Sequence, residues 1–453
     1  MAKEFSRLHL LIPEIKELLS HRDKVSLKSI FYDYEPVEIA QVLKEFTLKE
    51  KVFLFSLWEV DFAADIFEKM DKEKQLTLFE SVDRARKGEI LDELAPDERA
   101  DFFEELPEEV VNRFLSVMEK EEARDVQELL TYESDSAGGK MTTDFLSVRE
   151  GITVEETLET LRRTAKGVEM IYYIYVLDNK DKLVGVISVK DLILTNPQEN
   201  INKIMHPDPI SVPVNMDQEE VAEKIGEYDF LALPVVDNKG TMKGIITVDD
   251  IIDVIREEDT EDMYKIGAAG KDTEDYMSTR VLSIAKHRFT WLLILAITGL
   301  FSGMILENFS FVLKKVIALT FFIPLLMGSA GNAGTQAATV TVRGLAVGKV
   351  RIGDIWRVVR KEFLVGIVLG LSLGLLGFMR AIIFQKSPFL GLTVGISMIT
   401  TVTVSTSLGS ILPLICKSLN IDPAVVSAPL ITTVVDITTL LIFFGLAKFF
   451  FFI

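Results

Sequence analysis

The 453-residue chain carries 68 acidic and 49 basic residues, one cysteine and four histidines, for a net charge of −19. It is long enough for two or three domains. Lone Cys416 excludes disulfides within the chain, and His9, His21, His206 and His287 lack HxH or HxxxH spacing, so zinc, copper or nickel would miss their usual ligands.

Carboxylates and carbonyls remain, and those suit magnesium, calcium or manganese. The net charge hides a split at Arg280. Up to it, 63 acidic residues face 35 basic ones, a net −28; beyond it 5 face 14, a net +9. Such an acidic half repels nucleic acid and anionic lipid and attracts cations. The first thirty residues are polar, a stretch without signal-peptide character.

The N-terminal region repeats every twelve residues. Val42-Leu43, Leu54-Phe55, Ile66-Phe67, Leu78-Phe79, Ile90-Leu91, Phe102-Phe103 and Phe114-Leu115 each precede another apolar residue by three places, from Phe46 to Met118. Apolar positions i, i+1 and i+4 form one helix face, and "LAPDERADFFEELPEEVVNRF" adds Pro and Asp at helix starts. Short helices stacked into a superhelix are expected, with one irregular bundle as the alternative.

A second repeat has an offset near 59. "YYIYVLDNKDKLVGVISVKDLI" parallels "FLALPVVDNKGTMKGIITVDDII", and "MTTDFLSVREGITVEETLETL" parallels "MHPDPISVPVNMDQEEVAEKI". Each copy reads as a helix, two strands joined by an Asp-Asn turn, and another helix. Over residues 138–256 this resembles a tandem pair of cystathionine-β-synthase (CBS) domains, a regulatory module.

Five hydrophobic spans follow, at 289–306, 316–342, 363–379, 387–416 and 423–447, uncharged except for Asp436. Each reaches or approaches the roughly 20 residues that cross a bilayer. The link "RGLAVGKVRIGDIWRVVRKE" holds six basic residues against two acidic ones. The positive-inside rule puts that link in the cytosol, hence the N-terminal half inside and the C-terminus outside.

Two features of these spans carry chemistry. "IPLLMGSAGNAGTQAATVTVRG" places Asn332 and Gln336 among glycines, which permit close helix approach or a lined pathway. In "PLITTVVDITTLLIFF", Asp436 would cost roughly 2.5–3.5 kcal/mol facing lipid, so it belongs in an interior or a water-filled path. Thr432 and Thr433 lie one turn earlier, and Pro429 is expected to free a carbonyl nearby.

With "YESDSAGGKMT" leading into the paired CBS domains, "GSAGNAGTQ" and "DPAVVSAPLITTVVDITTLL", the whole chain resembles the MgtE family of magnesium channels and transporters. The resemblance implies a homodimer in the cell membrane, with magnesium as cargo and regulator. Its pore would run between the second and fifth spans of both subunits, with Asp436, Asn332 and Thr432 as pore residues. Thr335, where relatives often have Gly or Asn, is a departure. The acidic run "TVDDIIDVIREEDTEDMYKIG" matches the family's gating plug helix. By this likeness Asp97, Asp101, Asp217, Glu219, Asp229, Asp250, Asp253, Glu258 and Glu261 fall at cytosolic magnesium positions, and Gly139 (by its carbonyl) and Asp65 match more loosely.

"SVKD" and "TVDD" fit the [ST]xxD pattern with which many CBS domains hold a ribose, and some relatives bind ATP there. Ser188, Asp191 and Phe230 are the nucleotide candidates. Lys190 replaces the Arg those relatives carry, and Phe230 reads equally as a core aromatic. No nucleophile–base pair or phosphate loop argues for an enzyme.

The expected architecture is multidomain. An all-α superhelical domain spans 1–137, α/β CBS domains span 138–200 and 201–256, a connecting helix spans 249–285, and a five-helix transmembrane domain spans 286–453. The expected function is a magnesium importer closed by cytosolic magnesium. The alternatives are a membrane-anchored metal or nucleotide sensor without transport, or a broader transporter of cobalt, nickel and manganese.

Overall fold

The computed structural model describes residues 7–104, 106–165, 168, 170–268, 279–426 and 428–451. Part of the expected connecting segment, 269–278, lies outside the described residues, as does position 427 of the last span. The chain forms two compact units, Met1–Ile255 and Arg256–Ile453.

In the first unit, α1 (Arg7–Leu10), α2 (Ile12–His21), α3 (Lys24–Tyr32) and α4 (Pro36–Val42) lead into seven helices that begin at steps of twelve. These are α5 (Leu48–Phe55), α6 (Val60–Glu68), α7 (Lys72–Ser81), α8 (Arg84–Glu93), α9 (Pro96–Glu104), α10 (Glu108–Leu115) and α11 (Lys120–Leu129). Polar caps set several starts: Thr47 forms a capping box with Glu50, and Asp83 accepts from the Ala85 and Arg86 amides. Each cap satisfies backbone donors that a helix start leaves open.

The twelve-step pairs from Val42-Leu43 to Phe102-Phe103 are buried, as is Phe114. Helices pack on the next but one, α4 on α6, α5 on α7 and α6 on α8, which is the superhelical solution. Phe79 is fully buried, with ring centroids 4.9 Å from Phe67, 5.5 Å from Phe102 and 5.4 Å from Phe114. Phe79→Ala should cost about 3–5 kcal/mol, read from denaturant unfolding of the first unit.

The CBS pair comprises β1 (Phe145–Arg149), α12 (Val154–Thr164), β2 (Met170–Leu177), β3 (Leu183–Ser188), α13 (Val189–Leu194) and β4 (His206–Pro207), then β5 (Val212–Pro213), α14 (Gln218–Tyr228), β6 (Ala232–Val236), β7 (Met242–Thr247) and α15 (Val248–Ile266). The sheets run β1-β2-β3-β4 and β5-β6-β7; in both the first pair is parallel and the next antiparallel. Both hairpins turn on an aspartate. Asp178 accepts from the Lys180 and Lys182 amides, Asp237 from those of Lys239 and Thr241. The copies differ at the end: α13 stops after 6 residues, whereas α15 continues for 19.

Among the described residues of the second unit, five helices are long and apolar enough to cross a membrane: Val281–Asn308, Ile317–Ala346, Ile352–Gln385, Pro388–Ser418 and Ala428–Phe450. They contain α16 (Val281–Asn308), α18 (Ile323–Ala346), α19 (Ile355–Arg380), α20 (Pro388–Ser418) and α21 (Ala428–Phe450), with the short α17 (Ser310–Lys315) after the first. Helix α20 packs against α18, α19 and α21, while α16 leans on α21. Gly366, Gly370 and Gly374 of α19 let α20 approach closely, as small residues do in membrane bundles.

Candidate functional site

In the second unit, α18 and α21 meet where the sequence places its polar membrane residues. Two residues on α18 are pressed against other helices. A Cβ at Gly331 would lie 3.3 Å from Thr432 Cγ2, and one at Gly334 would lie 2.5 Å from Ser405 Oγ. The opposite face of α18 carries Asn332, Gln336 and Thr339, all exposed on the single chain. Asp436, one turn beyond Thr432, is only half-buried. The bundle therefore leaves a polar face uncovered at membrane depth.

One expectation is corrected here. Pro429 sits in the first turn of α21, where a missing amide breaks no helical bond, so it frees no carbonyl. Its own carbonyl accepts from the Thr432 and Thr433 hydroxyls at 2.9 and 2.8 Å. Those hydroxyls keep only their lone pairs for a hydrated ion. Thr335 differs: its hydroxyl is buried without a hydrogen-bond partner.

The last turns of α15 lie against this region. Ile266 packs beside Thr335, Ala338, Thr339, Val342, Val426, Ala428 and Ile431, leaving no room for a water molecule. Lys265 Nζ bridges Glu261 and Asp422 at 2.5 and 2.6 Å, and Arg343 pairs with Asp259 at 2.9 Å. Burial would lower the Lys265 ammonium, but the two carboxylates outweigh it and hold its pKa above the usual lysine range. Burial, then Asp422, raises the Asp262 carboxyl. Thus Glu261 pairs with a lysine, and Glu258 lies in the same acidic stretch near Asp262.

The first unit gathers a second acidic group where α9 and α11 join the core of the second CBS domain through Ala100 and Leu129. Asp97 is buried. Asp101 pairs with Lys140 at 3.7 Å and adds to the field that, after burial, raises the Asp250 carboxyl. Thr247 donates to Asp250 Oδ2. Glu98, which the sequence reading missed, sits at the centre. Burial, then Glu68, Asp101 and Asp250, pushes its pKa to about 8 against the pull of Lys69. Lys69 also feels Asp253 and Glu68, and Asp65 lies beside Glu68 and Lys69. The available signal for Glu98 was its i,i+3 spacing to Asp101.

A carboxyl whose pKa is higher packed than free favours the packed state while protonated. That contribution is full below the unperturbed value of 4.5 and fades as pH rises through about 8. Amide exchange in α9, corrected for intrinsic rates, should therefore quicken between pH 6.5 and 9, and Glu98→Gln should flatten the dependence.

The remaining expected residues scatter. Asp217 caps α14 by accepting from the Glu219 amide and bridges to Ser136, three residues from Gly139. Asp229 ends the same helix with φ of 55°, at the opposite end from Asp217. Ser188 donates to Asp191 at 2.6 Å and caps α13, while Phe230 stacks on Tyr228 and packs on the domain core. Among the described residues no three His, Cys, Asp or Glu side chains converge as a metal cage.

Comparisons with known proteins agree along the chain. The family described as "Divalent cation transporter" matches residues 323–446, "MgtE intracellular N domain" matches 34–135, and "CBS domain" matches 137–195 and 201–257. The magnesium transporter MgtE of Thermus thermophilus is 37% identical over 441 residues, 97% of this chain and 98% of that protein. That of Bacillus subtilis is 38% identical over 93% of each. Among solved structures, the cytosolic domain of the Mg2+ channel MgtE in complex with ATP is 37% identical with a TM-score of 0.51, covering 53% of this chain and 98% of that one. The soluble part of a magnesium transporter is 33% identical with a TM-score of 0.52, covering 56% and 99%. The chain belongs to the MgtE family of magnesium transporters, which are not enzymes.

Proposed function

We propose that two copies of this chain form a magnesium channel of the cell membrane that imports the ion and closes when cytosolic magnesium rises. The observation that carries this reading is the half-buried Asp436 on a 23-residue membrane helix, beside the uncovered polar face of α18. Facing lipid, that carboxylate would cost roughly 2.5–3.5 kcal/mol. A second copy across a two-fold axis covers the face and brings two Asp436 carboxylates to one path. Magnesium dehydrates reluctantly and keeps several waters, so one or two carboxylates suffice. Asn332 and Thr432 complete the lining.

Regulation rests on the acidic groups of the cytosolic half. Magnesium bridging Asp97 or Asp101 to Asp250 and Asp253 would draw the helical and CBS domains together. Further ions at Glu258 and Glu261, at Asp217, Glu219 and the Gly139 carbonyl, and at Asp229 and Asp65 would add to this. The end of α15 beside Thr335 and Ile431 is then the closing element. The basic link between the second and third spans orients the N-terminus to the cytosol and the C-terminus outside. ATP is a further proposed ligand of the CBS pair, through Ser188, Asp191 and Phe230, supported by the solved relative that carries it.

Purified protein in liposomes loaded with a magnesium-sensitive dye tests transport against a purely sensory role. Influx that saturates with external magnesium is expected; intact, correctly inserted protein giving no influx would leave only the sensor.

A further inference from the structure

Helix α20 is rich in hydroxyls, and most of them bond within the helix. Thr393 donates to the Phe389 carbonyl, Thr400 to Ile396, Thr403 to Ile399, Ser407 to Thr403 and Ser410 to Ser407. That is the usual resort of Ser and Thr in a membrane helix. Thr406 shares its hydroxyl with the Thr403 carbonyl of its own helix at 3.2 Å, and Ser405 departs from the pattern altogether. Ser405 donates to the Ala330 carbonyl of α18, and Thr406 to the Glu362 carbonyl of α19 at 2.9 Å. Ser405 is 1% exposed.

The contact falls on the turn of α18 that carries Asn332. Ala330, Ala333 and Gly334 are buried on the α20 and α21 side, whereas Asn332 between them is exposed on the other. The room is tight. A Cβ at Gly334 would meet Ser405 Oγ at 2.5 Å and Ile431 and Val435 at 3.2 Å, and one at Gly409 would overlap the Gly334 carbonyl. The buried side of this turn is therefore set by α20, through one hydroxyl and one missing side chain, and by Thr432 of α21 against Gly331, while the other side presents Asn332.

We infer that Ser405 is a positioning residue for ion permeation: its hydroxyl pins the α18 turn that carries Asn332, although it lies behind the path and never touches the ion. The inference rests on the pathway reading given above. A neutral hydrogen bond contributes about 0.5–1.5 kcal/mol, so its loss shifts a geometry-sensitive ratio roughly two- to tenfold.

The test measures reversal potentials of the full-length protein in planar bilayers under magnesium–sodium gradients. Ser405→Ala should lower the magnesium-to-sodium permeability ratio roughly two- to tenfold at unchanged dimer content and thermal stability. Ser405→Cys, which keeps a donor of similar size, should recover most of it. Gly334→Ala should lose conduction, and adding Ser405→Gly should restore part. A wild-type ratio in Ser405→Ala, or a fall only in the amount of folded protein, would overturn the positioning role. Asp436→Asn runs in parallel: if it conducts normally, the pathway reading fails, whereas its silence beside an unchanged Ser405→Ala ratio sinks the Ser405 inference alone.

Discussion

Asp436→Asn should reduce magnesium flux at least about 100-fold while leaving membrane insertion and assembly intact. The substitution keeps shape and volume and removes the one acidic side chain in the central part of the five spans. In the proposed dimer it would remove two charges from one path. At an effective dielectric of 20, unit charges 4 Å apart interact by about 4 kcal/mol, and about 2.7 kcal/mol already corresponds to 100-fold. Asparagine can still bond a water of the ion's shell, but it offers no counter-charge in a medium that screens poorly. Because the amide is cheaper to insert than the carboxylate, yield should not suffer. Flux is read in dye-loaded liposomes at matched protein density, and wild-type flux from well-folded Asp436→Asn protein would remove Asp436 from the path.

Asp250→Asn combined with Asp253→Asn should raise the cytosolic magnesium needed for half-closure about tenfold without changing single-channel conductance. The acidic half carries a net −28 per chain, and the junction of α9 with the second CBS domain concentrates part of it. There the repulsion is already moderated. Lys69 and Lys140 stand among the acids, and Glu98 retains a proton near neutral pH because burial and its neighbours disfavour its charge. In the proposed gate, magnesium would add what these groups leave incomplete. Thr247 already donates to the Asp250 carboxylate, so the amide analogue keeps an acceptor there and loses only the charge. Limited proteolysis near Gly138 offers an independent readout: millimolar magnesium should protect the wild type and protect the double variant less.

The helical rhythm of the first unit was legible because each stripe of i, i+1, i+4 is buried within its own stack, and the caps at Thr47 and Asp83 are local. The duplicated CBS pattern was legible for the same reason, down to the aspartates that shape both hairpins. Local rules also single out Asp436 and Asn332 as candidates, since a charge or amide in an apolar run stands out. What was not legible depends on distant partners. Glu98 looks like any exposed acid of an acidic helix until Lys69, Asp101 and Asp250 close around it. Lys265 meets Asp422 across 157 residues, and Ser405 meets Ala330 across 75. Pro429 misled because its consequence depends on where α21 begins, and helix starts are fixed by caps and packing as much as by sequence.

Single-channel recording with magnesium as the sole permeant cation, while cytosolic magnesium is stepped through the millimolar range, separates a magnesium-gated channel from a carrier and from an ungated pore. Unitary inward currents of constant amplitude are expected, with an open probability that falls steeply as cytosolic magnesium rises, and none from Asp436→Asn. Slow flux without unitary events would contradict a channel, and an open probability indifferent to cytosolic magnesium would contradict the gate.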